Sequence, residues 1–218
     1  MALAGVGVAA GKASIEFESA FAGVEKTVDG TEEQLAALRQ GILDMAEEIP
    51  ASTTEIAAVA EAAGQLGIAT DDVLDFTRVM IDLGEATNLS SDEAASSLAK
   101  FANITGTTAD EYSRLGSTIV DLGNNFATTE RDIVEMGTRL ASAGTIAGLS
   151  EQDILALSTA MSSVGIQAEA GGTAMTQTLS AISKAVSDGG DDLKTFAKIA
   201  GVSADEFAKM WSDDPIKA

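Results

Sequence analysis

Apolar residues recur along the chain at spacings of three and four, which places each set on one face of an α-helix. Leu35, Leu38, Ile42, Met45 and Ile49 form one stripe. Ile56, Val59, Ala63 and Leu66 form the next, followed by Val73, Phe76, Met80 and Leu83, then by Ala94, Leu98 and Phe101. Tyr112, Leu115, Ile119 and Leu122 continue the series, with Ile133, Met136 and Leu140 after them, then Ile154, Leu157, Met161 and Val164. Phe17, Phe21, Val24 and Val28 predict a helix ahead of these, and Met175, Leu179, Ile182 and Val186 one behind. Short helices near Leu193 and Phe207 complete the pattern. Period-2 runs of β-branched and aromatic residues are missing, so no sheet is predicted. The expected fold is all-α: a compact multi-helix domain of about nine to eleven short amphipathic helices with helix-turn-helix repeats. Ile154, Leu157 and Met161 are expected to be buried.

The starts of these helices are marked. A Ser or Thr is followed three residues later by an acid or Gln at Thr31–Gln34, Ser52–Glu55, Ser90–Glu93, Thr108–Glu111, Thr129–Asp132, Ser150–Asp153 and Ser203–Glu206. In such a box the hydroxyl accepts from an early helix N–H and the acid or Gln reaches back, satisfying two orphan donors together. Thr70 opens a looser version with Asp71 and Asp72. Gly67, Gly84, Gly106, Gly123, Gly144, Gly165 and Gly201 stand where the stripes end, and a left-handed residue past a helix end suits glycine. From Thr31 to Ser150 the starts fall 18 to 21 residues apart, the rhythm of a helical array without an obvious shared residue code. This punctuation argues against one continuous rod, which at 1.5 Å per residue would span roughly 330 Å.

Composition narrows the function classes. Only 4% of residues are aromatic while 45% are hydrophobic, so the core must be built from Ala, Leu, Ile, Val and Met. The formal net charge of −21 disfavours nucleic acid and an anionic membrane surface, and its plain effect is solubility. Absence of Cys and His removes disulfides, thiolate catalysis, His-based triads and nearly all zinc sites. The start, MALAGVGVAAGKA, lacks a basic region ahead of its apolar run, so residues 1–13 read as a flexible or frayed segment and not as a signal peptide.

Acids remain as candidate chemistry. Asp71, Asp72 and Asp75 cluster, and two carboxylates suffice for glycoside hydrolysis. Most acids, however, fall in first helical turns, where they favour the positive end of the helix dipole. SDGGDD at Ser187–Asp192 lacks the ligand order of a calcium loop and reads as a turn. AEAGGTAM lacks the lysine of a phosphate-binding loop; its Gly171–Gly172 pair reads as a helix-joining turn or a point of close backbone packing. Gly123–Thr128 reads as a polar loop in which Asn124 and Asn125 tolerate left-handed backbone. Tyr112 and Trp211 sit on apolar stripes and are expected in the core. No catalytic residue, cofactor-binding residue or metal ligand is assigned.

Four stretches carry a resemblance. VAEAAGQLGI at Val59–Ile68, LGNNFATTERDIVEM at Leu122–Met136, GLSEQDILALSTAMSSVGIQAEAGGTAM at Gly148–Met175 and AGVSADEFAKMWSDDP at Ala200–Pro215 resemble the core region of bacteriophage tail tape-measure proteins. The resemblance starts near Phe17 and runs to the end of the chain. It implies a structural, non-enzymatic protein of phages and prophages. Such a protein lies in the tail tube lumen, templates tube assembly, helps set tail length and leaves ahead of the genome at infection. It is made in the host cytoplasm. The partners it implies are tail tube and tail-tip proteins, tail assembly chaperones and other tape-measure copies, with no nucleic acid and no membrane contact from this segment. On this reading residues 14–218 are a tape-measure core domain from a longer chain. Two other readings stay open: a helical interaction module of a prophage-derived secretion device, and an accessory domain of a cell-wall hydrolase.

Overall fold

Reciprocal caps set where the helices begin. The Thr31 hydroxyl accepts from the Gln34 N–H at 3.2 Å, and the Gln34 side chain accepts from the Thr31 N–H at 3.0 Å. Ser90 with Glu93, Thr108 with Glu111 and Ser150 with Asp153 close in the same way. Ser52, Thr129 and Ser203 accept from the N–H three residues on. An N-cap of this kind stabilises its helix by about 1 kcal/mol over alanine. Thr70 differs from expectation. Ala69 is the cap residue, without a side-chain bond, and the Thr70 hydroxyl donates instead to the Asp29 carbonyl across a turn.

The computed structural model describes the backbone of residues 2–218 and the side chains of residues 12–218. Among these residues there are eleven α-helices and no strand. They are α1 Ala2–Thr27, α2 Glu32–Glu48, α3 Thr53–Gln65, α4 Val73–Ala86, α5 Ser91–Thr105, α6 Tyr112–Asn125, α7 Glu130–Ile146, α8 Glu151–Ser163, α9 Ala168–Asp188, α10 Gly190–Ala200 and α11 Ala204–Asp213. Short 3-10 turns, Thr70–Asp72 and Ala109–Glu111, lead into α4 and α6. The chain is all-α, as its hydrophobic pattern requires. The segment 1–13 is helical from Ala2 on, and its side chains up to Gly11 lie outside the described residues.

The array rhythm resolves into a doublet. First caps Ser52, Ser90 and Thr129 open α3, α5 and α7; each of these helices ends at a left-handed glycine, Gly67, Gly106 or Gly148, with φ of +79°, +77° and +87°. The residue after each glycine bonds back five positions: Ile68 N–H to the Ala63 carbonyl, Thr107 to Ala102 and Leu149 to Gly144, at 2.9 to 3.0 Å. This is a Schellman closure, which satisfies carbonyls the helix end leaves free. A second start follows at Ala69, Thr108 and Ser150, opening the partner helix. The repeating unit is therefore a helical hairpin recurring every 38 to 42 residues, with its own stop and second start.

The chain divides into two compact units, residues 1–99 with 108–116, and residues 100–107 with 117–218. In the first, α1 packs along α3, α4 folds back on α3, and α2 covers α3 and α4. Phe17, Phe21 and Val24 of α1, and Val28 just past its end, are buried. Ala57, Ala60 and Ala63 of α3 are fully buried, which lets the backbones approach. In the second unit α7 is central, flanked by α8 and α9, while α9, α10 and α11 pack together. Ile133, Met136 and Leu140 carry the α7 face and have no exposed surface. Burying each such side chain contributes roughly 1.5–3 kcal/mol.

Several expectations need correction. On α8, Ile154 and Met161 are buried, but Leu157 is only half-buried and Val164 is 74% exposed. Leu155, Ser158 and Thr159 take the inner face instead. Gly84, Gly123 and Gly144 are not left-handed stops: they lie inside α4, α6 and α7. A Cβ on any of them would collide with a neighbour: Ser91, Glu130 or Ile154. The Gly171–Gly172 pair does not make the turn between α8 and α9; Gly165, at φ +80°, does. The pair is buried in the first turns of α9, where a Cβ on Gly172 would stand 2.9 Å from Arg139 Cβ and one on Gly171 would overlap Ile166. Close packing, not turning, is its role. The loop expected at Gly123–Thr128 is shorter, because α6 continues to Asn125, and neither Asn adopts positive φ.

Candidate interaction surface

The acids considered for catalysis stand at helix starts. Asp71 and Asp72 lie in the 3-10 turn and Asp75 in the first turn of α4. Asp71 Oδ1 accepts from Gln34 Nε2 at 3.1 Å, and Gln34 is the residue whose other amide atom closes the α2 capping box. One side chain thus joins the α1–α2 turn to the α3–α4 turn, with the Thr70 hydroxyl bonded to the Asp29 carbonyl beside it. The second unit has a counterpart. The Thr107 hydroxyl, just past α5, donates at 2.7 Å to Glu151 Oε2 at the start of α8. Neighbouring hairpin turns are bonded side to side in each unit. Sequence reading missed these links, although their signal is local: a hydroxyl beside a left-handed glycine, and an acid or amide in a first turn.

Electrostatics here belongs to caps and packing. Glu111 is held below the usual carboxylate range by the Thr108 backbone N–H and hydroxyl, with Arg114 adding a 2.8 Å bond. Tyr112 is pushed above the usual phenol range, first by burial and then by the negative charge of Asp72. Its ring meets Phe76 edge-on at 5.2 Å. Trp211 is buried and stacks on Phe207, which stacks in turn on Phe196. Both aromatics with polar tips are therefore packing residues, as their stripes predict. Arg39 lies over the Phe17 and Phe21 rings at 5.3 and 5.4 Å and pairs with Glu18. The Ser187–Asp192 stretch turns from α9 into α10 through Gly189 and Gly190, both at positive φ. Among the described residues no group of three or more His, Cys, Asp or Glu is placed to hold a metal ion.

What the surface offers is contact. Ile104, Ile146 and Ile199 each stand two residues before a left-handed glycine, at the ends of α5, α7 and α10, and are 40%, 76% and 79% exposed. Phe126, Val164 and Ile166 are also exposed at inter-helix turns. Exposed apolar points of this kind can bind a partner. Among the described residues no helix is long and apolar enough to cross a membrane.

No curated protein and no solved structure matches the chain. The profile of the family described as phage-related minor tail protein matches residues 39–215, from within α2 to just past α11. That span takes in α3 to α11, including all three capped hairpins, and the chain accordingly belongs to the phage-related minor tail protein family, whose place is a structural one in the phage tail.

Proposed function

We propose that this chain is the core of a tail tape-measure protein, acting as a folded assembly domain and not as an extended ruler. The family match over residues 39–215 carries the reading. The motif order from Val59–Ile68 to Ala200–Pro215 supports it. In this role the domain engages tail tube and tail-tip proteins, assembly chaperones and other tape-measure copies, occupies the tube lumen and departs before the genome. It performs no catalysis. The longest helix, α1, has 26 residues, and every other helix is broken off within 21 by caps and glycines.

The test is an in-frame deletion of the hairpin at residues 90–128 from the phage gene, with tails measured by electron microscopy. An assembly domain predicts absent or malformed tails. An extended helical ruler predicts infectious particles with tails shorter by about 1.5 Å per residue removed, which would reject this reading. Normal tails of unchanged length would reject it as well. Purified protein is expected to release no peptidoglycan fragments; release abolished by Asp71→Ala or Asp75→Ala would establish an enzyme.

A further inference from the structure

An aspartate followed by glycine can close on its own main chain, because glycine puts no side chain in the way of its amide nitrogen. The chain has two such pairs, Asp29–Gly30 and Asp188–Gly189. The structure treats them differently. Asp188 is the last residue of α9, and the Gly189 N–H donates to the Ala185 carbonyl at 2.9 Å. That nitrogen is engaged, and the aspartate before it is held in helical backbone. Asp29 and Gly30 lie between α1 and α2, outside either helix, and both are exposed. Among the described residues the Gly30 N–H donates to no acceptor, and the Asp29 carboxylate has neither a hydrogen bond nor an ion pair. Nucleophile and electrophile are adjacent, solvated and unengaged at this pair alone.

We propose that Asp29–Gly30 is a site of spontaneous isoaspartate formation. The Gly30 nitrogen attacks Cγ of the protonated Asp29 carboxyl group. The N–Cγ bond forms, the Cγ–OH bond breaks, and the hydroxyl leaves with the amide proton as water. Water then adds to one of the two carbonyls of the resulting succinimide. Addition at Cγ restores aspartate. Addition at the α-carbonyl breaks its bond to the Gly30 nitrogen, leaves that carbon as a free carboxylate and routes the main chain through Cβ and Cγ. The sequence of steps consumes no oxidant and no co-reactant other than water.

The consequence follows from what the Asp29 carbonyl does. It accepts the Thr70 hydroxyl bond that ties the α1–α2 turn to the 3-10 turn before α4. Isomerisation takes this carbonyl out of the main chain and lengthens the turn by one methylene, two residues ahead of the Thr31 cap. The tie is lost and α1 is held less firmly. The site goes beyond the tape-measure reading and does not depend on it, because its test reads the chemistry of the isolated chain and not tail assembly.

The experiment is to age the folded chain for weeks in mildly acidic buffer at body temperature. Trypsin then separates the two pairs, in the peptides Thr27–Arg39 and Ala185–Lys194. Electron-transfer fragmentation tells isoaspartate from aspartate, which have the same mass. Isoaspartate is expected to accumulate several-fold faster in the first peptide than in the second. In urea, where both turns are released, the two rates should converge. Asp29→Glu keeps the charge but would need a larger, slower ring. It should remove most of the methyl acceptance that an isoaspartyl methyltransferase reads in the aged folded chain. Equal rates in the folded chain, an undiminished preference for Asp29 in urea, or methyl acceptance that survives Asp29→Glu would overturn the site. Aged protein should also melt below fresh protein, and aged Asp29→Glu should not. Unchanged melting in a sample carrying isoaspartate at Asp29 would overturn the loss of the tie.

Discussion

Ser158 and Thr159 show how a helix buries hydroxyls by bonding them to its own backbone. Each hydroxyl donates to the carbonyl one turn back, Ser158 to Ile154 at 2.6 Å and Thr159 to Leu155 at 2.8 Å. Their donors are satisfied inside the helix, so both face the core of the second unit. Apolar letters alone therefore point to Leu157, whereas the buried face runs through Leu155. Leu155→Ala is expected to cost about 2–5 kcal/mol in urea unfolding, and Leu157→Ala clearly less. Tyr112 offers a second check, because it is the only tyrosine and its absorbance titration is unambiguous. Its midpoint should lie above that of a model tyrosine amide. Its raised ionisation contributes stability that is complete below the unfolded-state value and lost as pH rises through the folded one. Tyr112→Phe should remove that part of the alkaline loss.

At the scale of the element, helix starts were readable and packing glycines were not. A capping box lies within four residues, so Ser150 and Asp153 announce α8 without help from the rest of the chain. Glycine is ambiguous because one letter serves two needs, positive φ at Gly148 and room for a neighbour at Gly144. Only the contact partner separates them. The substitutions differ accordingly. Gly148→Ala forces a Cβ into the left-handed region, at about 1–2 kcal/mol. Gly172→Ala improves helix propensity by roughly 1 kcal/mol but sets a methyl against the Arg139 stem on α7, and overpacking of about 1–3 kcal/mol makes it a net loss. Thermal unfolding of the two variants measures both costs. The doublet itself was half legible: the 18 to 21 residue rhythm was plain, but the alternation of glycine stop and direct restart needed the backbone angles.

For the whole molecule, charge sets the conditions. A net charge of −21 makes the folded chain repel itself, and salt screens that repulsion over a Debye length of about 8 Å at physiological ionic strength. The melting temperature is therefore expected to rise from low salt to about 0.15 M sodium chloride and then level off. An uncharged osmolyte at equal osmolality should not reproduce the rise; if it does, repulsion is not the cause. That the chain is a phage tail protein was legible from ordered motifs, while the candidate interaction surface was not: Ile104, Ile146 and Ile199 are apolar letters in helices, and only the packing leaves them exposed. The hairpin period has a genetic consequence. A crossover that joins the register of Ser52 to that of Ser90, or Ser90 to Thr129, yields a chain in which every cap still precedes its own stripe. Recombination can thus gain or lose whole hairpins with each hydrophobic face still in phase, whereas a one-residue insertion within a helix turns the following face by about 100°.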